Sequence, residues 1–333
     1  MIAPIWKDFY VTLDQGGAVS SADYAIEDGA GHVLYTGRAY TRPGDTYPVI
    51  RVNDIMADYL RRGITFVGDT DTAMVTFEVV VGEDSYGENI LTGDWSYDPD
   101  FDADNLGLNF PICDILLPGQ LVPCTLGTSG EGTASFVLYL AGGGDFNADF
   151  NSDFLIEGDD TETGSITAEA FGTAWLDLTE YATATRLEYT DDETGKVHTY
   201  RIGGGCNQFA LYYVNAYGGW DTLAVLGNTK VRDELTRHTL RRDYDNRQTH
   251  NRGTVNYANE YTRAFSFHTH PLTAEQGARM HHLLNSPHVY LHDTQTGHIW
   301  PIVLTGNTTE HKTGHGLHEY TIEAELAQER ERR

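Results

Sequence analysis

Short runs in which apolar and polar residues alternate recur along the chain, and this pattern predicts many β-strands. The clearest runs are residues 73–82 (AMVTFEVVVG), 134–142 (ASFVLYLAG) and 318–327 (HEYTIEAELA). Two pairs of runs predict hairpins, one at 186–202 around Asp-Asp-Glu-Thr-Gly and one at 286–305 that turns at a Thr-Gly pair. The chain is therefore expected to be mainly β.

Two segments change to the spacing of an amphipathic helix. In residues 51–63 (RVNDIMADYLRRG), Asn53 or Asp54 can cap a helix whose apolar face continues to Leu60. In residues 272–286 (LTAEQGARMHHLLNS), Thr273 is the expected cap. The buried side of this second helix is expected to carry Leu272, Met280, Leu283 and Leu284.

Composition agrees with a β-rich chain of two domains. The 333 residues include 35 Gly and 20 Tyr, and Gly-Asp or Gly-Asn clusters separate many Thr/Tyr/Val runs. Gly203-Gly204-Gly205 is interpreted as a linker. We expect two β-sandwich or β-barrel-like domains, residues 1–205 and 206–333, each with one short helix.

The formal net charge of −27 indicates an acidic surface that repels the phosphates of nucleic acids. We therefore expect no sequence-specific binding of nucleic acid, and no apolar stretch reaches the 18 residues that a membrane helix needs. The N-terminus has no pattern of a signal peptide. Three Cys, without a CxxC pair, favour a reducing compartment, although Cys113 and Cys124 could pair.

Residues 142–162 (GGGDFNADFNSDFLIEGDDTE) form an acidic near-repeat that belongs to the first domain. Oxygen ligands alternate in it as they do in calcium loops, at Asp145, Asn147, Asp149, Asn151 and Asp153. An EF-hand is rejected, because its sixth position is Phe150 instead of Gly and its twelfth is Ile156 instead of Glu. A looser calcium site and a solvated loop anchored by Phe side chains both stay open.

Eleven of the fourteen His lie from His250 onwards. His268 and His270, in the sequence His-Thr-His-Pro, resemble the H-x-H-P zinc ligands of JAMM-type metallopeptidases. That motif also needs a downstream S-x-x-D, and the residue three positions after Ser286 is Val289. The end of a strand that leads into a helix is therefore the favoured interpretation. A metal that ties subunits together through the other histidines stays open.

Sequence signatures of catalysis are missing. The chain has no G-x-S-x-G, no P-loop and no G-x-G-x-x-G after a strand. We therefore expect a protein that is not an enzyme and that has no cofactor, with calcium or zinc as the open exceptions.

Residues 229–254 are polar and contain much of the chain's Arg, and we call them the basic arm. They are expected to form an extended arm or a long loop outside the core. Because the rest of the chain is acidic, the arm could cross to the surface of a neighbouring copy; a mobile loop is the alternative. The arginines in question are Arg232, Arg237, Arg241, Arg242, Arg247 and Arg252.

Residues 130–330 resemble tail and baseplate structural proteins of phages and prophages of Bacteroides-type gut bacteria. The resemblance is carried by FALYYVNAYGGWDTLAVLG, by AFSFHTHPLTAEQGARMHHLLNSPHVYLHD, by IWPIVLTGNTTEHKT and YTIEAELAQ, and by the Asp-Phe-Asn repeat. It implies a virion protein that forms a homo-oligomeric ring, six- or twelve-fold, in a tail, tail tip or neck. The implied partners are other tail or neck proteins, and assembly would occur in the host bacterial cytoplasm. These families have no catalytic residues.

Two other classes of function remain as alternatives. A carbohydrate-binding adhesin would expose two or more of its tryptophans in a groove. A zinc-dependent hydrolase would use His268 and His270 and needs an acid within reach of the metal. The tryptophans in question are Trp6, Trp95, Trp175, Trp220 and Trp300.

Overall fold

A computed structural model describes most of the chain as strands, with gaps. The described residues are 2–4, 10–14, 17–28, 31–52, 55–56, 74–82, 84–92, 111–125, 132–140, 160–168, 173–192, 195–203, 208–241, 254–312 and 316–327. The strands of the N-terminal part are β1 (Ile2–Pro4), β2 (Tyr10–Thr12), β3 (Ser21–Asp28), β4 (Val33–Tyr40), β5 (Val49–Arg51), β6 (Met74–Val81) and β7 (Asp84–Thr92). The next strands are β8 (Ile115–Leu116), β9 (Leu121–Thr125), β10 (Gly132–Leu140), β11 (Asp160–Ala168), β12 (Thr173–Asp177), β13 (Ala184–Asp191) and β14 (Val197–Ile202). The C-terminal strands are β15 (Phe209–Val214), β16 (Trp220–Ala224), β17 (Thr229–Arg241), β18 (Thr254–His268), β19 (Val289–Asp293), β20 (His298–Lys312) and β21 (Leu317–Leu326).

The N-terminal strands form a five-stranded sheet in the order β1-β7-β6-β3-β4. Its pairs are antiparallel except β1 with β7. The alternation in β3 places Ala22 and Ile26 in a core that also contains Phe77, Val79 and Met56. A two-stranded sheet of β2 and β5 adds Val11 and Ile50 to this core.

The middle strands form a second five-stranded sheet in the order β11-β10-β13-β14-β8. In β10 every second residue is buried, among them Ala134, Phe136 and Leu138, because one face of the strand packs inward. Strands β9 and β12 pair separately. Residues 111–124 contain the short strand β8 and part of β9.

The C-terminal strands form a seven-stranded sheet in the order β16-β15-β19-β20-β21-β18-β17. Its core includes the strand residues Phe267 and Ile322 together with Met280 and Leu283 of helix α1 (Ala274–Leu284). Thr273 caps α1 with a reciprocal capping box to Gln276, as the sequence predicts.

Backbone contacts divide the chain into two compact units. The first comprises residues 1–110, 121–201 and 214–221, and the second comprises 111–120, 202–213 and 222–333. The predicted domain boundary after residue 205 stays a prediction.

The predicted fold class is confirmed, since the described chain is mainly β and its sheets are sandwich-like. Most of the helix predicted at 51–63 lies outside the described residues. Ile55 and Met56 are helical, and the Met56 N–H donates to the Val52 carbonyl oxygen at 3.0 Å. Within the described part, no helix has the length and apolar content needed to cross a lipid bilayer.

The two described cysteines, Cys113 and Cys124, are buried free thiols, so the disulfide considered from the sequence is not formed. Burial raises the pKa of Cys113 to about 11. Both thiols are therefore protonated at neutral pH and behave as small apolar core groups. Cys206 lies outside the described residues.

Candidate assembly interface: the β17–β18 ribbon

The described part of the basic arm is not a loop. Residues 229–241 form strand β17, which pairs antiparallel with β18 from Thr229 opposite Phe267 to Arg241 opposite Thr254. A bulge lies between His238 and Thr239. We call this pair of strands the ribbon. The thirteen residues of β17 correspond to a length of about 40 Å.

One face of the ribbon starts in the core and runs out of it. Phe265 and Phe267 of β18 are buried in the core of the C-terminal sheet. Val231 lies opposite Phe265, and Leu235 lies opposite Tyr261 further along, so they share this face. Yet Val231 is 49% exposed and Leu235 48% exposed. The apolar residues on this face are therefore buried at Phe265 and Phe267 but exposed at Val231 and Leu235. We call this face the ribbon's apolar face.

A rigid ion pair lies between these apolar positions. The Arg263 guanidinium binds Asp233 with two hydrogen bonds, Nε to Oδ1 at 2.7 Å and Nη2 to Oδ2 at 3.0 Å. Nη2 also donates to the Tyr261 hydroxyl at 2.8 Å. The hydrogen bonds that Arg263 donates to Asp233 raise the pKa of Arg263 above its usual range. Such a two-pronged pair fixes both side chains and orders the surface between Val231 and Leu235.

The opposite face of β17 is polar from Lys230 to His238 and continues to the apolar Leu240, which is 52% exposed. Lys230, Arg232, Glu234, Thr236 and His238 alternate with the apolar positions. Arg232 Nη2 reaches Glu234 Oε1 at 2.8 Å, and both side chains are mostly exposed. A pair this exposed contributes less than about 1 kcal/mol to stability, so these charges do not hold the fold together.

The ribbon is basic within an acidic chain. Strand β17 has four Lys or Arg against two Asp or Glu, and β18 has one Arg against one Glu. The ribbon therefore has a net charge of +2, whereas the whole chain has −27. Arg232, Arg237 and Arg241 belong to β17, whereas Arg242, Arg247 and Arg252 lie outside the described residues.

The ribbon residues that the sequence reading missed are the apolar ones. Val231, Leu235 and Tyr261 were not singled out, because residues 229–254 were expected to form an extended arm or a long loop outside the core and no partner strand was assigned to them. The signal that was available is a second alternating run, TVNYANEYTRAFSF, across from the Arg-rich segment.

The two histidines proposed as zinc ligands lie at the end of β18 and just beyond it. His268 Nδ1 is 2.9 Å from Thr321 Oγ1, and its backbone N–H donates to the Asn228 carbonyl oxygen at 3.0 Å. The Nδ1 atom of His270 is buried without a hydrogen-bond partner, and this burial lowers the pKa of His270. Because β18 ends at His268, His270 lies in the segment between this strand and the Thr273 cap of α1.

The remaining histidines are spread over separate elements. His292 is buried, and its Nδ1 lies 3.0 Å from the Tyr212 hydroxyl. The His298 ring stacks on Trp300 with 5.6 Å between ring centroids. His281 and His318 line one groove between α1 and strands β20 and β21. Among the described residues, no three His, Cys, Asp or Glu side chains come together as a metal-binding group.

The proposed calcium ligands Asp145, Asn147, Asp149, Asn151 and Asp153 lie outside the described residues. Calcium binding by this loop stays a prediction.

The three described tryptophans, which a glycan-binding groove would expose, are buried or half-buried. Trp220 is 2% exposed, and its ring lies 5.9 Å from that of Trp175. Trp175 and Trp300 are half-buried. Trp6 and Trp95 lie outside the described residues. The described tryptophans therefore offer no exposed stacking platform of the kind the adhesin alternative needs.

Comparisons with known proteins identify no family. No protein-family model matches the chain, and no curated protein matches it. Among solved structures it is similar to a Salmonella alpha-2-macroglobulin mutant (12% identity, TM-score 0.18, 99% of this chain and 20% of that chain). It is also similar to trypsin-activated alpha-2-macroglobulin from Escherichia coli (13% identity, TM-score 0.17, 83% of this chain and 22% of that chain). The methylamine-reacted Salmonella protein gives 11% identity and a TM-score of 0.17, with 99% of this chain and 20% of that chain covered. The chain thus spans about a fifth of the length of these structures, and the TM-scores are too low to support an argument about its fold or function.

Proposed function

We propose that this protein is a structural subunit of a phage tail, tail tip or neck, and that it assembles with copies of itself into a closed ring. The observation that carries the proposal is the ribbon's apolar face, on which Val231 and Leu235 are exposed beyond the buried Phe265 and Phe267. The position of the ring within a virion rests on the resemblance to tail and baseplate proteins. In this proposal the subunit is not an enzyme, and other tail or neck proteins bind the ring.

Exposed apolar side chains on an ordered surface favour a protein partner. Full burial of a Val or Leu side chain contributes roughly 1.5–3 kcal/mol. Covering the exposed halves of Val231 and Leu235 would therefore contribute about 1 kcal/mol each. The ion pair between Asp233 and Arg263 already holds the surface in one arrangement, which lowers the entropy cost of binding.

The charge distribution favours a ring over a two-fold dimer through the ribbon. Two ribbons facing each other would bring basic strands together, whereas a ribbon that meets the acidic remainder of another copy gains attraction. Contact between two different surfaces of one subunit is heterologous, and it closes into a ring when the rotation allows. Six-fold and twelve-fold rings are the expected symmetries.

The test is the mass of the purified full-length protein in solution. Mass photometry of the wild type is expected to show a discrete oligomer, with or without EDTA. The double variant Val231→Glu, Leu235→Glu is expected to shift to the monomer at 37.0 kDa. The matched control is Val303→Glu, since Val303 is 54% exposed in the same unit but lies off the ribbon.

A wild type that is monomeric at every concentration would overturn the proposal. A double variant that assembles like the wild type would show that the ribbon is not the interface. An oligomer that EDTA dissolves would instead assign assembly to a metal site, with the histidines or the Asp/Asn loop as the ligands to examine.

A further inference from the structure

The two strands at the ends of sheets that differ most in charge are β17 and β11. A strand at the end of a sheet has one side of its backbone without a neighbouring strand, and a second chain can add a strand there. Three such end strands in the described part are eight residues or longer: β4, β11 and β17.

Strand β11 is acidic. Its sequence DTETGSITA contains Asp160 and Glu162 and no Lys or Arg. Among the described strands it pairs with β10 alone, and its residues Glu162, Thr163 and Ser165 are exposed. These features make it an end strand to which a basic strand is attracted.

Strand β4 does not offer the same charge. It contains one charged residue, Arg38, and no acid. Arg38 is already bound to Asp23 through two hydrogen bonds, with Nη2 to Oδ2 at 2.6 Å. A basic strand therefore finds no free acid on β4, and β11 remains the complementary partner among the three.

We infer that β17 of one copy adds to β11 of the next copy on the side away from β10, so that the basic ribbon extends the acidic sheet of its neighbour. Backbone hydrogen bonds between the two strands supply affinity, and the opposite charges of the strands, with Lys230 and Arg232 on one face of β17 and the exposed Glu162 on β11, supply the choice of partner. The contact is heterologous, because each copy contributes β17 on one side and β11 on the other. The inference rests on the proposed function and names the surface that the ribbon meets.

Charge reversal of whole strands tests this contact without knowledge of the register. The first variant carries Lys230→Glu, Arg232→Glu and Arg237→Glu. The second carries Asp160→Lys and Glu162→Lys. Each variant alone presents two strands of like charge and is expected to run as a 37.0 kDa monomer in mass photometry at low salt.

An equimolar mixture of the two variants is expected to reassemble to the mass of the wild-type oligomer. In the mixture, each acidic β17 meets a basic β11, and each basic β17 meets an acidic β11, so the two variants alternate. The control variant Arg42→Glu, Lys196→Glu, Arg201→Glu has the same change of net charge as the first variant, at exposed positions outside the ribbon. It is expected to assemble alone, and the melting temperature of each variant checks its fold.

The outcomes separate this inference from the proposed function. If the wild type assembles but the mixture of folded variants stays monomeric, the β17–β11 contact is wrong and the ring proposal stands. Assembly of either variant alone overturns the contact as well, and so does loss of assembly in the control. A monomeric wild type overturns both proposals.

Discussion

Gly164 leaves room for an aromatic ring on the acidic strand β11. An added Cβ atom there would lie 2.5 Å from Cζ of Phe136, whose ring covers the glycine from the facing position on β10. This arrangement places an aromatic ring over a glycine of the end strand and helps to hold β11 in register with β10.

Gly164→Ala is therefore expected to displace the Phe136 ring and to lower the free energy of unfolding by about 1–3 kcal/mol. Urea unfolding followed by circular dichroism measures the change. Gly203→Ala is the control, because a Cβ at Gly203 meets nothing within 4 Å, and its effect should stay within about 0.5 kcal/mol. Equal effects of the two substitutions would contradict the role of the ring.

His270 makes the stability of the protein depend on pH. Burial lowers its pKa in the folded chain, so the unfolded chain binds a proton at a higher pH than the folded chain does. The free energy of unfolding should therefore fall as pH falls below the usual His pKa of about 6.5. Above that pH both states are neutral at this residue, and the effect is absent.

His270→Gln removes this titration. The loss of stability of the variant between neutral pH and pH about 5 should be smaller than that of the wild type, since the carboxylates are common to both. Urea midpoints at each pH give the comparison. Parallel pH profiles for the two proteins would show that His270 is not held neutral by burial.

At the scale of elements, helix α1 is the part most completely predictable from sequence. Its apolar spacing, its Thr cap and its position between two strands all appear in residues 272–286. The cap works as expected, with the Thr273 hydroxyl oxygen accepting from the Gln276 N–H at 3.3 Å and Gln276 Oε1 accepting from the Thr273 N–H at 3.0 Å.

Thr273→Ala should therefore cost about 1 kcal/mol of stability. The control is Gln295→Ala, at an exposed turn position, with an expected change within about 0.5 kcal/mol. Thermal or urea unfolding of the two variants makes the comparison. A Thr273→Ala protein as stable as the wild type would show that water replaces the cap without loss.

The ribbon and β11 were the elements that sequence reasoning described least well. Both have exposed residues on each face, so neither shows the one-sided alternation that burial imposes. In β17 the apolar residues Val231, Leu235 and Leu240 are four and five positions apart, which matches no simple strand pattern. Strand β11 begins at Asp160, inside a segment whose acids indicated a loop.

The sequence around His268 and His270 favoured the end of a strand that leads into a helix, and in the structure β18 ends at His268 and α1 begins at Ala274. Pro271 has no backbone N–H to donate to a ladder, and the chain turns there towards Thr273. The overall class of fold was predictable because alternation in the buried strands, such as β10, is strong.

At the scale of the whole molecule, charge separates the ribbon from the rest of the chain. A net charge of −27 makes copies of the chain repel each other, so the proposed ring needs a basic element that offsets this repulsion locally. In the proposal the ribbon is that element, and its exposed apolar side chains add a contribution that salt does not screen.

The central claim is that copies of this protein close into a ring. Electron microscopy of the purified full-length protein, averaged in end-on views, tests it most directly. We expect a closed particle with six-fold or twelve-fold rotational symmetry, in which each copy contacts two neighbours. Single copies, two-fold dimers or open filaments in those images would contradict it.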